Sequence, residues 1–187
     1  MTENEWTKSI CKKLNKHLQT NTLEAKTFAK IPYSQEIVKY SSEWKPEEYE
    51  PTRFETDLTI YEKVDNQFIP RVIIESKLGH ITTHDAITYS YKAEKHKNIT
   101  PFLRYGIMIG DRGDYPLPGR LFRHGTNFDF MFSFKKTSSE EEEWESFVSM
   151  IRKEVEYSKI IEEMLHESRN KDRKHYYMMQ KQKIRDI

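Results

Sequence analysis

The sequence predicts one α/β domain, a mixed central sheet with helices packed on its faces. Three observations predict it. Trp6, Ile10, Leu14 and Leu18 recur at intervals of four, the spacing of an amphipathic helix. The stretch RFETDLTIYEK alternates apolar and polar residues and is followed, after a polar turn, by the β-branched run FIPRVIIESKLG, which is the pattern of a hairpin. The segment SSEEEEWESFVSMIRKEVEYSKIIEEML then returns to helical spacing. At 187 residues the chain has the size of one domain, read as residues 1–167 with a basic extension over 168–187.

Taken in order, Thr2 to Leu18 is expected to form helix 1. On a wheel at about 100° per residue, Glu3 shares the face of Trp6 and Ile10, whereas Glu5 points away. Thr22 to Tyr49 follows no single period; Phe28 to Tyr40 admits an extended strand, and Ser41 to Pro51 reads as an acidic connecting loop. In the next strand Phe54, Thr56, Leu58 and Ile60 alternate with Glu55, Asp57, Thr59 and Tyr61. Val64 to Gln67 makes the turn, and the partner strand closes on Gly79. Thr82 with Asp85 three residues on resembles a capping box, so helix 2 is expected from there to Lys97. RYGIMIG is a short apolar run between turn formers and suits a buried strand. DRGDYPLPG is loop, and LFRHGTNFDFMFSF reads as a further strand or pair of strands. In the last helix Ser139 and Glu142 stand in capping-box relation, with Trp144, Val148, Ile151 and Val155 along one face.

Composition narrows the function. The hydrophobic share is 36% and the charged share 33%, yet 24 aromatic residues supply large apolar surfaces, which argues against disorder throughout. The single cysteine, Cys11, cannot form an internal disulfide, and no Cys/His set has zinc-ligand spacing. No signal-peptide core or membrane-length apolar run occurs, so a cytoplasmic location is expected. Net charge is +1, but from Ser168 onward seven Lys or Arg face two Asp, so any DNA-binding surface is local.

The chemistry concentrates in the hairpin. Alternation puts Glu75 and Lys77 on one face of the second strand and Ile74 and Ser76 on the other. Asp57 can join the acid and the base from the preceding strand. Two carboxylates so placed offer hard oxygen ligands to a divalent cation such as Mg²⁺, which keeps several waters and accepts phosphate oxygens. The Ser76 carbonyl, between the two site side chains, is a further metal ligand of the set. Such a centre activates a water and neutralises charge on a phosphate under attack, with Lys77 orienting that water or stabilising the phosphate.

The order ETD, hairpin, IIESKLG, helix resembles the PD-(D/E)xK nuclease superfamily, which includes many type II restriction endonucleases. The resemblance runs from Arg53 to Gly110, with Thr56 where the motif's name has proline. It implies a restriction-endonuclease-like fold, a metal-bound Asp57, a metal-bound Glu75 and a catalytic Lys77. Many members add an acidic residue from the first helix, and Glu3 is the candidate here. The implied activity is Mg²⁺-dependent hydrolysis of double-stranded DNA, as a type II restriction endonuclease working as a homodimer. A repair or mobile-element nuclease is the nearest alternative, and a non-catalytic nucleic-acid-binding or assembly module is the rival class.

Several other features carry two readings. Tyr89, Tyr91, Lys92, Lys95, His96 and Lys97 on helix 2 suit phosphate contacts, or else form a solvated lysine-rich face. Arg112, Arg120 and Arg123 could read a DNA groove or belong to an ordinary connection. His124 lacks the partners of a His-metal finger and reads as structural. The basic extension could meet a second copy, lie along DNA phosphates or stay solvated.

Overall fold

The computed structural model describes residues 1–18 and 22–166. The expected basic extension therefore lies outside the described residues. The elements are α1 (Glu3–His17), β1 (Leu23–Tyr40), β2 (Pro46–Val64), β3 (Gln67–Leu78), α2 (Thr83–Ile99), β4 (Arg104–Gly110), α3 (Gly119–His124), β5 (Phe130–Ser133) and α4 (Glu141–His166). The strands lie in the order β1-β2-β3-β4-β5. β1, β2 and β3 are antiparallel neighbours, while β3, β4 and β5 run parallel. The protein is thus an α/β sandwich with a mixed five-stranded sheet, as its sequence pattern predicts.

Each face of the sheet has its own helices. On one, Trp6, Ile10 and Leu14 of α1 and Trp144, Phe147 and Ile151 of α4 pack on Leu58, Ile60, Val72, Ile74 and Met108. On the other, Ala86 and Ala93 of α2 and Leu121 of α3 cover Ile73, Tyr105, Ile107 and Ile109. The alternation along β3 is what divides the strand between these two cores. Within β4, Gly106 lies against the Phe130 ring so closely that a Cβ there would meet it at 2.3 Å. Among the described residues, no helix is long and apolar enough to cross a membrane.

The helix starts follow local chemistry. Thr82 and Asp85 form the full reciprocal capping box, with Thr82 N donating to Asp85 Oδ2 at 2.8 Å and Asp85 N to Thr82 Oγ1 at 3.1 Å. Thr2 and Glu5 form a second one at α1. The box expected at Ser139 does not form as such: α4 starts at Glu141, and the Ser139 hydroxyl instead accepts from Lys13 Nζ at 3.1 Å.

Two other expectations are corrected. Ser41 to Pro51 is not a loop throughout, because β2 already begins at Pro46 and pairs Tyr49 with Ile37 and Glu50 with Glu36. This outer half of β1 and β2 forms a two-stranded arm that leaves the body of the sheet. Ile37, Val38, Tyr40, Trp44 and Tyr49 are exposed on it, so no core imposes a hydrophobic period on its residues. LFRH is not strand either: it lies in α3, and Phe130–Ser133 alone form β5. Leu121 is the buried residue of this short helix, too few apolar positions for a helical period to be read.

Candidate active site

β2 and β3 pair from Val64↔Gln67 up to Leu58↔Ile74, and there they part. The next residues are Asp57 and Glu75. On the other side of β2, Phe28 takes a left-handed φ of 55° between the pairs Thr27↔Leu58 and Ala29↔Thr56, a backbone state that distorts a strand at that point. The Asp57 side chain fills the gap between the diverging strands. Its Oδ2 accepts from Ser76 N at 2.8 Å and from the Ser76 hydroxyl at 3.2 Å. In an extended strand a residue's N–H and C=O project to the same edge, so the Ser76 carbonyl also faces the β2 side.

Glu75 is only 1% exposed. Its Oε1 accepts from the Tyr105 hydroxyl and lies 3.4 Å from Lys92 Nζ. The Asp57 carboxyl lies close enough to form a hydrogen bond with it and to repel its charge. Burial foremost, and then the Asp57 charge, push the Glu75 carboxyl up to about 7, since desolvation and a like neighbour both disfavour ionisation. Asp57, Glu75 and Ser76, all expected at the site, are therefore together.

Lys77 pairs with a different set of carboxylates. Its Nζ lies 3.6 Å from Glu3 Oε1 and 3.5 Å from Asp85 Oδ1, and 5.5 Å from the Tyr89 ring centroid. Burial works against its charge, but the Tyr89 phenol, Glu3 and Asp85 outweigh burial and raise its pKa. Glu3, singled out from the helical wheel, does reach the end of β3. Its other carboxylate oxygen accepts from Leu78 N at 3.1 Å. It meets Lys77 there, and among the described residues no group of three or more His, Cys, Asp or Glu is arranged to hold a metal. α1 is also tied in through Thr7, whose hydroxyl is 2.7 Å from that of Ser76.

The polar cluster of α2 divides. Lys92 points at Glu75. His96 is buried, its Nδ1 2.9 Å from the Pro32 carbonyl oxygen and its ring stacked on Tyr105 at 5.6 Å, and burial depresses its pKa to about 4. Lys97 bonds Asp129 at 2.8 Å and the Asn127 carbonyl at 2.7 Å. His96 and Lys97 are thus committed to the interior of the protein, whereas Tyr91 is exposed with Lys95 above its ring. Of the loop arginines, Arg112 donates to the Gly79 and Pro116 carbonyls at 2.8 and 3.1 Å, and Arg120 to the Ile81 carbonyl at 2.9 Å. These two brace the loops around the site.

Sequence reasoning did not find Tyr105. Its signal was a phenol inside an otherwise aliphatic buried strand, since a buried hydroxyl needs a polar partner.

Comparison with known proteins adds little. No protein-family profile matches the chain, and no curated protein does. A solved structure of the restriction endonuclease BsaWI in a pre-specific complex with DNA is similar at 15% identity and a TM-score of 0.34, over 62% of this chain and 44% of that one. The match therefore spans less than half the length of that endonuclease, and a likeness this low transfers no property to this chain.

Proposed function

We propose that this chain is a Mg²⁺-dependent endonuclease that hydrolyses phosphodiester bonds of double-stranded DNA, a type II restriction endonuclease acting as a homodimer. The observation that carries the reading is the placement of the Asp57 and Glu75 carboxyls side by side where β2 and β3 part, with Asp57 held on the amide of Ser76, the residue next to Glu75. Two neighbouring carboxyls, one of them fully buried, repel each other once both are ionised, and a divalent cation relieves that repulsion. The donor set also fits the ion. Asp57, Glu75 and the Ser76 carbonyl are hard oxygen ligands, and Mg²⁺ takes one or two carboxylates while keeping room for water and phosphate.

When bound, the ion supplies Lewis acidity and a water of lowered pKa. The side chains supply the rest. The Ser76 amide and hydroxyl hold Asp57 in one orientation, while the Tyr105 hydroxyl holds Glu75. Lys77 is paired with Glu3 and Asp85, so a fixed cation lies on the same strand face as Glu75, suited to charge developing on a phosphate. One such centre cuts one strand; a two-fold pair of copies cuts both.

The test is plasmid cleavage in Mg²⁺ against EDTA, with the native chain, Asp57→Ala and Lys77→Ala. The expected result is cleavage by the native chain in Mg²⁺ alone and a loss of at least about a hundredfold in each variant. Cleavage that survives both substitutions removes the mechanism. No cleavage of any DNA or RNA, together with retained DNA binding, favours a non-catalytic module instead.

A further inference from the structure

Two lysines share one aromatic ring beside the carboxyl pair, and their surroundings differ. Lys77 Nζ is 5.5 Å and Lys92 Nζ 5.2 Å from the Tyr89 centroid. Lys77 is neutralised by two carboxylates, Glu3 and Asp85. Lys92 has Glu75 as its ion-pair partner, at 3.4 Å. Like the two Lys77 pairs, at 3.6 and 3.5 Å, this is longer than a charge-assisted hydrogen bond, which runs about 2.7–2.9 Å, but Lys92 shares its one carboxylate oxygen with the Tyr105 hydroxyl, whereas Lys77 has two carboxylates. The stem of Lys92 is fixed nonetheless. It emerges from the covered side of α2 and its ammonium lies over both Tyr89 and Phe54, with the side chain 19% exposed. A preplaced cation is therefore loosely held by the one carboxylate that a metal ion would claim.

We propose that Lys92 is an exchangeable counter-ion: it pairs with Glu75 while the metal site is empty, and binds a backbone phosphate of the DNA once a divalent cation occupies Glu75 and Asp57. This rests on the endonuclease reading and deepens it. A cation bound to Glu75 cancels the charge that holds Lys92 and leaves two positive centres side by side, an arrangement that an anion stabilises. Phosphate is the anion that such a metal centre accepts. Lys77 keeps its own carboxylates throughout, so the two lysines divide the work. Lys77 is the constant charge, and Lys92 is the one that responds to the metal.

The test uses the full chain with Lys92→Met, Lys92→Arg and, for contrast, Lys77→Met. Mn²⁺ binding is measured by calorimetry at pH 8.5, and binding of a duplex oligonucleotide by fluorescence anisotropy over a range of salt, in EDTA and in Ca²⁺. Losing a weak competing ion pair, Lys92→Met should bind Mn²⁺ as tightly as the native chain or about two- to fivefold more tightly. In Ca²⁺ its DNA affinity should fall about tenfold, with the slope of log affinity against log salt reduced by about one. In EDTA its DNA affinity should match that of the native chain, and Lys92→Arg should restore the slope in Ca²⁺. Weaker Mn²⁺ binding by Lys92→Met, or an equal loss of DNA affinity with and without metal, overturns the exchange while leaving the endonuclease reading intact. A native chain that binds no Mn²⁺ overturns both.

Discussion

Replacing Glu75 by glutamine should stabilise the metal-free protein at alkaline pH, and the size of the effect follows from the surroundings of that carboxyl. The side chain is 1% exposed, and its pKa rises from 4.5 to about 7 on folding, through burial first and the Asp57 charge second. The folded protein therefore holds a proton that the unfolded chain has released between these two values. Stability falls as pH rises through that window and is lower by about 3 kcal/mol once both states are ionised. Glutamine has no charge to bury. Its Oε1 can still accept from Tyr105, and its Nε2 can donate to the Asp57 carboxylate, turning a repulsion into a hydrogen bond. In EDTA at about pH 8.5, Glu75→Gln should thus be about 2–3 kcal/mol more stable than the native chain, or about 4–12 °C higher in Tm for a domain of this size. At about pH 4.5, where the native carboxyl is protonated, the two should melt together. Saturating Mg²⁺ should close the gap at alkaline pH by stabilising the native chain alone. Urea or thermal unfolding followed by circular dichroism reads all three. A glutamine variant that is less stable than the native chain at both pH values would refute the reasoning, because Glu75 would then be serving the fold.

Other consequences can be checked in the same way. His96 is held at a pKa of about 4 by burial, below its ordinary 6.5, so the unfolded chain binds the extra proton as pH falls. Up to about 3 kcal/mol should be lost between about pH 6.5 and pH 4, and His96→Gln should flatten that limb of the unfolding curve. Gly106→Ala should cost about 1–3 kcal/mol in urea unfolding, since the new methyl would meet the Phe130 ring at 2.3 Å. Arg71 bridges Glu62 at 2.8 Å and Glu162 at 2.6 Å inside the protein; Arg71→Met should cost about 3–5 kcal/mol by the same measurement, because it leaves Glu62 buried with fewer partners.

How far the sequence could be read depended on what each residue is buried against. α1 and β3 were legible because one face of each meets a core, and Trp6, Ile10, Leu14 and Leu18 are all buried. The same wheel placed Glu3 on the face of Trp6 and Ile10; its contacts with the Leu78 amide and Lys77 needed the fold. The arm was not legible, because pairs such as Ile37↔Tyr49 are held by backbone pairing while their side chains stay in solvent. Asp57 and Glu75 could be assigned to neighbouring strands of one hairpin, but a plain count back from the turn sets Asp57 opposite Ile74; the register shift between Ile60 and Tyr61 brings it level with Glu75. Tyr105 could not be assigned, since its place beside Glu75 depends on the parallel register Glu75↔Ile107, which a crossover through α2 sets and no local spacing reveals. Lys92 needed the helix's rotation about its own axis, and α2 mixes polar and aromatic residues too evenly for its covered side to be inferred.

β1 forms one margin of the sheet, and a margin of 18 residues would ordinarily invite another chain to add its own strand. Here the ladder slips between Pro32 and Ser34, between Ile37 and Lys39, and again before Tyr40, while Pro32 lacks an amide to donate and Phe28 is turned left-handed. The free edge is thereby cut into pieces shorter than the stretches of about six residues that stack into fibrils. The same irregularities keep the arm's aromatic, well-exposed surface from templating aggregation.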